Sequence, residues 1–137
     1  MVLPKDHPLA EVENLQLADL AAEPIITYHP SFTGRTRIDK AFAAAHLTPR
    51  IALEAIDSDV IKTYVRLGLG VGIVAEMAVR DAADTDLVVR PAAKLFGLNT
   101  ARVAFKKSAY LRNFVYEFAH LLNPDLTAQR IAKAMGN

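Results

Sequence analysis

The amino-acid sequence predicts an α/β fold, and three observations carry that prediction. Apolar, strand-like runs at residues 24–28, 50–56 and 71–75 alternate with helical patterns that begin at Arg37 and at Asp59. The order strand, helix, strand, helix, strand is the one expected of a layer with parallel neighbours. With 137 residues, 52% hydrophobic and 23% charged, the chain can bury a substantial core in one ordinary domain or two small lobes.

In chain order, residues 1–7 are polar and proline-bearing and begin no recognisable element. Leu15, Leu17, Leu20 and Ala21 give a short amphipathic helix that Pro24 terminates, because the residue before a proline is pushed out of the helical region. The run Pro24-Ile-Ile-Thr-Tyr28 is the first strand. After a turn, Ile38, Ala41, Phe42 and Ala45 fall at i, i+3, i+4 and i+7, one apolar stripe, and the helix stops near His46 ahead of Pro49. Residues 50–56 alternate less cleanly, with Ile51, Leu53 and Ala55 on one side and Glu54 on a partly solvated side. Asp57 or Ser58 caps the next helix, and Gly68 stands where a left-handed C-terminal residue is wanted. A strand at 71–75, a helical turn at 76–80, an acidic loop at 81–86 and a short strand at 87–90 follow. Residues 91–99 read as a linker bending at Gly97, residues 101–106 as a strand, and residues 110–122 as the strongest helix. Its apolar side carries Leu111, Phe114, Val115, Phe118, Leu121 and Leu122. Asn123-Pro124 breaks it, and Thr127 caps a terminal helix.

The stretch with most chemical character is the turn between the first strand and its helix, His29 to Asp39. It holds Ser31, Phe32, Thr33 and Gly34, flanked by Arg35 and Arg37. A strand ending in small hydroxylated residues and opening into a helix presents free backbone N–H groups and a positive dipole end, which suits an anion. The plainer reading is that Ser31 or Thr33 N-caps the helix; capping and anion binding use the same groups, so both stand.

Other chemistries are disfavoured. Sixteen basic and fifteen acidic residues give a net charge of +1, without the clustered Lys and Arg that nucleic-acid binding by this chain would need. There is no cysteine, hence no disulfide and no thiolate metal site. No apolar run approaches the roughly 20 residues that span a bilayer, so a soluble, cytoplasmic protein is expected. The glycines of Gly68-Leu-Gly-Val-Gly72 follow a helix and precede a strand, the reverse of the dinucleotide-binding order, and so are expected to cap the helix and let it pack closely. His7, His29, His46 and His120 share no metal-ligand spacing, and no triad or nucleophile elbow is visible. Asp81, Asp84 and Asp86 read as a solvated loop. No catalytic, metal or cofactor site is expected.

The words Phe32-Thr-Gly-Arg35, Leu47-Thr-Pro-Arg50 and, above all, Asp59-Val-Ile-Lys-Thr-Tyr-Val-Arg-Leu-Gly-Leu-Gly-Val-Gly72 are similar to those of LysR-type transcriptional regulators, most closely the cysteine-regulon (CysB-like) subgroup. The resemblance extends, more weakly, from about Asp6 to Leu122. It implies a periplasmic-binding-protein-like (type 2) effector domain, represented here mainly by its second lobe, about residues 15–90. Residues 91–137 are then a linker and the C-terminal strand-helix segment of the first lobe, and the DNA-binding helix-turn-helix is absent. It further implies a small anionic effector, sulfate, thiosulfate or an acetylserine, in an interlobe cleft, with Thr33 as the carried-over contact and Ser31, Phe32, Gly34 and Arg35 around it. DNA binding through the missing N-terminal module and homo-oligomerisation are the partner expectations. The stripe of Phe114, Phe118 and Leu121 lacks its family partner, and so is expected to be covered by the second lobe or by another copy. A solute-binding transport component of the same fold and a small α/β enzyme acting on an anion are the rival functions.

Overall fold

A computed structural model describes residues 1–80, 82–100, 102–107 and 109–136. These form two compact units, residues 1–99 and 100–137. The first is built on a sheet of β1 (Val2–Pro4), β2 (Pro24–Tyr28), β3 (Arg50–Ala55), β4 (Val71–Gly72) and β5 (Leu87–Val89), in the order β3-β2-β4-β1-β5. Strand β2 runs parallel to both β3 and β4, while β1 is antiparallel to β4 and β5. Helices α1 (Leu17–Ala21), α2 (Thr33–Ala44) and α4 (Ala93–Phe96) cover one face, and α3 (Ser58–Arg66) covers the other.

This layering explains why β2 reads as an unbroken apolar run. Ile25 packs with Ile38 and Phe42 on the α2 face, and Ile26 packs with Ile61 and Val65 on the α3 face, all nearly sealed from water. A strand covered on both faces has no solvent side to alternate with. The one polar side chain in its middle, Thr27, is buried and donates its hydroxyl hydrogen to the Ile73 carbonyl.

Several expectations are corrected. Residues 1–7 contain β1, an interior strand of the sheet with Val2 and Leu3 fully buried; three residues before a proline are too few to show a period. Ile51 and Leu53 do not share a face. The pairing of β2 with β3 shifts by one residue between Ile25 and Ile26, Ala52 is the extra residue, and Ile51 packs on the α2 side while Leu53 packs on the α3 side. A one-residue bulge reverses the facing of every residue beyond it. Ala45, expected on the buried stripe of α2, is exposed as the helix ends. The linker at 91–99 contains α4, whose Phe96 ring lies 6.0 Å from that of Phe42, and Gly97 bends the chain at φ 74°.

Both long helices of this unit end alike. Beyond α3 the Leu69 N–H donates to the Tyr64 carbonyl and Gly68 N–H to Val65; beyond α2 Leu47 N–H donates to Phe42 and His46 N–H to Ala43. Each closure needs one left-handed residue. Gly68 supplies it at φ 73°, whereas His46 adopts φ 56° with a side chain. The remaining glycines of the motif serve close approach, as expected. A Cβ on Gly72 would lie 2.6 Å from a Val2 methyl and 2.8 Å from a Val65 methyl, and one on Gly70 would strike the Pro24 carbonyl.

The second unit holds α5 (Asn113–Leu122) and α6 (Ala128–Met135), packed through Ala119, Ile131 and Met135 with Leu111 and Tyr116 beside them. Thr127 caps α6 by accepting the Arg130 N–H. The helix expected at 110–122 begins at Asn113, and no strand forms over residues 102–106; Ala101, where that strand was to begin, lies outside the described residues. The apolar side of α5 is divided. Ala119 is sealed, yet Phe114, Phe118 and Leu121 are 65%, 61% and 82% exposed.

Adding a methyl at Gly72 overpacks the centre of the sheet, so Gly72→Ala is expected to destabilise by about 1–3 kcal/mol. His46→Gly relieves a strained residue and should stabilise by up to about 1 kcal/mol. The midpoint of urea denaturation checks both signs.

Candidate ligand-binding site

The three parallel strands end at one edge of the sheet, and the loops that come after them meet there: residues 29–32 after β2, 56–57 after β3 and 73–75 after β4. The chain moves from β2 to one neighbour through α2 and then to the other neighbour through α3, on the opposite face. The carboxyl ends beside such a reversal form the crevice in which open α/β sheets hold ligands.

Helices α2 and α3 both point their N-termini at this edge, but they differ electrostatically. Helix α3 is closed by the Asp57 carboxylate, which accepts the Asp59 N–H, and Asp59 adds a second negative charge in the first turn. Helix α2 has Phe32 in the capping position, no side-chain cap and no acidic residue in its first turn. The positive end of α2 therefore stays available to an anion, while that of α3 is already neutralised.

Each sequence-predicted residue takes a definite place. Ser31 is not the cap: its hydroxyl lies 3.0 Å from His29 Nδ1, which also accepts the Ser31 N–H. Thr33 is the first helical residue and is exposed, so its hydroxyl belongs to the surface of the turn. Gly34 lies beside Asn99; a Cβ there would meet the Asn99 amide nitrogen at 3.7 Å. Phe32 is partly exposed, with its ring 5.6 Å from that of Tyr28. Arg35 turns inward and is 8% exposed. Its guanidinium donates to the Tyr28 carbonyl at 3.0 Å, to Asp39 at 2.8 Å and to Glu54 at 2.5 Å, so one side chain ties the end of β2, the body of α2 and strand β3. Thr33, Thr36, Arg37 and Lys40 line an open depression along the start of α2.

Two features at this edge carry no sequence signal. Asn99 reaches the start of α2 only because Gly97 bends the chain back beside Arg37. The Tyr28 hydroxyl, in a residue that reads simply as the end of a strand, lies 2.6 Å from Ser58 Oγ and accepts the Ala75 N–H at 3.1 Å.

The expected solvated acidic loop is also corrected. Asp81 lies outside the described residues, Asp86 is half-exposed, but Asp84 is buried. Its carboxylate accepts the Arg80 N–H, pairs with Lys62 at 2.9 Å and receives Arg66 at 2.7 Å. Lys62 is equally buried and completes its donors with Asp59 and the Ala78 carbonyl. The Arg80 N–H and the Lys62 ammonium hold the Asp84 carboxyl well below the usual carboxylate range against the opposing effect of burial. Among the described residues the charges of Asp59, Lys62, Arg66, Asp84 and Asp86 all have partners, so the cluster clasps α3 to Ala78, Asp84 and Asp86. Among the described residues no group of three or more His, Asp or Glu is placed to hold a metal, and no helix is long and apolar enough to cross a membrane.

An open sheet with its loops gathered at one carboxyl edge is the architecture of small-molecule-binding α/β domains. Residues 1–126 match the LysR substrate binding domain, and the chain belongs to that family. It is 52% identical over 134 residues to the HTH-type transcriptional regulator CysB of Burkholderia cenocepacia, across 98% of this chain and 43% of that protein. It is 42% identical over 133 residues to the HTH-type transcriptional regulator cbl of Escherichia coli, across 97% of this chain and 42% of that protein. Among solved structures, the cofactor-binding domain of the Cbl transcriptional regulator superposes with a TM-score of 0.81 at 39% identity, covering 98% of this chain and 59% of that one. The fold is thus the periplasmic-binding-protein-like α/β effector domain, and the chain spans less than half the length of its curated relatives. Those relatives are transcriptional regulators.

Because Asp84 is charged well below the unfolded carboxyl value, its stabilisation is complete above about pH 4 and is lost as pH falls through the folded value. Asp84→Ala leaves Lys62 buried with only the exposed Asp59 carboxylate to pair with and is expected to destabilise by about 3–5 kcal/mol at neutral pH. Urea denaturation at pH 7 and pH 3 should show the gap between the two proteins narrowing in acid.

Proposed function

We propose that this chain is the ligand-sensing part of a LysR-type regulator of sulfur assimilation, and that its ligand is a small anion received at the start of α2. The observation that carries the reading is the contrast between the two helix N-termini at the sheet edge: α3 is closed by Asp57 and Asp59, whereas α2 has no side-chain cap and no acidic first-turn residue. The identity to CysB and cbl supports sulfur assimilation as the context, and the resemblance carried by the words Phe32 to Arg35 and Asp59 to Gly72 brings with it sulfate, thiosulfate or an acetylserine as the ligand class. In this reading Thr33 contacts the anion with its hydroxyl, helped by Ser31, Phe32 and the backbone of Gly34, and Arg35 holds the turn in place from behind. The crevice is one wall of an interlobe cleft, as the matching fraction of the Cbl domain suggests. DNA is read in the cytoplasm by a module in the part of the protein this chain does not span.

Sensing by such a domain requires that the effector bind two arrangements of the protein unequally; a ligand with equal affinity for both shifts nothing. Oligomerisation is part of the proposal. Phe114, Phe118 and Leu121 form an exposed stripe on α5, and burying each contributes about 1.5–3 kcal/mol, so a covering surface from the rest of the assembly is expected.

Calorimetric titration of the full-length protein with sulfate, thiosulfate, O-acetylserine and N-acetylserine tests the reading. Thr33→Ala should weaken the binding anion about tenfold, the effect of losing a hydrogen bond to a charged group. Unchanged affinity in Thr33→Ala overturns the site, and turnover of a titrant overturns the function.

A further inference from the structure

Tyr28 is placed unlike any other residue of the sheet edge. Its backbone closes β2, its carbonyl accepts Arg35, its ring lies against Phe32 in the capping position of α2, and its hydroxyl reaches past the strand ends. There it accepts the Ala75 N–H from the loop after β4 and shares a 2.6 Å hydrogen bond with Ser58 in the first turn of α3. One side chain thus touches the segment beyond each of the three parallel strands. The sheet holds the loop after β3 against that after β2, since their ladder runs to Tyr28 opposite Ala55 and the His29 N–H donates to the Ala55 carbonyl. It does not hold the loop after β4 in the same way, because β4 is only two residues long and its ladder with β2 ends at Gly72. Beyond Gly72 the loop is tied to β2 by the Ile73 N–H on the Ile26 carbonyl, by Thr27 on the Ile73 carbonyl, and then by the Tyr28 hydroxyl at Ala75.

We propose that Tyr28 is a positioning residue for the anion site: it holds residues 73–75 and the start of α3 at a set distance from the turn at Ser31 to Gly34, so that the crevice has its width before the ligand arrives. This rests on the reading of the α2 turn as the anion site and adds the element that sets its affinity. Pre-organisation of this kind raises affinity by removing the ordering that binding would otherwise demand. The hydroxyl contacts lie near the surface, where water replaces them when the oxygen is removed, so their loss falls on the geometry of the crevice and only weakly on the stability of the fold. Tyr28→Phe isolates the effect, since it keeps the ring, its packing against Phe32 and the carbonyl that accepts Arg35.

The test uses the full-length protein, with sodium sulfate and O-acetyl-L-serine as probes, read by calorimetry and by hydrogen exchange with mass spectrometry. Wild type should bind a probe and slow exchange in peptides spanning residues 29–36 and 72–79. Tyr28→Phe should keep a denaturation midpoint close to wild type, lose about fivefold in affinity, the equivalent of one hydrogen bond, and lose the ligand-dependent slowing at 72–79 while keeping that at 29–36. Wild-type affinity with undiminished slowing at 72–79 overturns the positioning role. A wild-type protein that binds a probe without slowing at 29–36, or binds neither probe, overturns the anion site itself and this role with it.

Discussion

The first turn of an α-helix carries backbone N–H groups that the helix cannot satisfy, and in α2 no side chain of the capping residue takes them. Much at the sheet edge depends on that constraint. Ser31, which has the chemistry of a cap, is diverted to His29, and Thr33 sits one position too late to serve. The turn is nonetheless held firmly, because Arg35 reaches back from the same helix to the Tyr28 carbonyl and to Glu54 on β3. A donor-rich turn is thus fixed from behind by an inward arginine and left open in front. Helix α3, starting beside it, shows the alternative in which Asp57 and Asp59 neutralise the same kind of terminus.

The sheet makes this arrangement possible by placing β2 between β3 and β4 and sending the two connecting helices to opposite faces. Ile25 and Ile26 then serve two cores at once, and the glycines at 70 and 72 let Pro24, Val2 and Val65 approach the β4 segment closely. On α3, Lys62 and Arg66 hold Ala78, Asp84 and Asp86. Those charges are mutually satisfied within the fold, which separates them in kind from the start of α2, where no side chain caps the helix.

The parallel heart of the fold was legible because its signals are local. The apolar run before Tyr28, the Asp57 cap, the glycine after Leu67 and the threonine before Ala128 each express one physical rule within a few residues. The features that escaped depend on partners distant in sequence. Strand β1 is three residues long and is a strand only because β4 and β5 flank it; Asp84 is buried only because Lys62 and Arg66, some twenty residues earlier, converge on it. The bulge at Ala52 shifted Leu53 to the other face without any mark in composition. At the candidate site the turn and Thr33 were visible from residue types and family resemblance, whereas the inward course of Arg35 and the reach of the Tyr28 hydroxyl required the folded chain.

If an anion is received by the uncapped start of α2, its position can be read directly. Crystals of the full-length protein grown with selenate, a sulfate analogue whose selenium scatters anomalously, would show where the anion sits. An anomalous peak is expected within hydrogen-bonding distance of the Thr33 hydroxyl and the first-turn N–H groups of α2. A peak at Lys62 and Arg66, or at the start of α3 with the α2 turn empty, would contradict it.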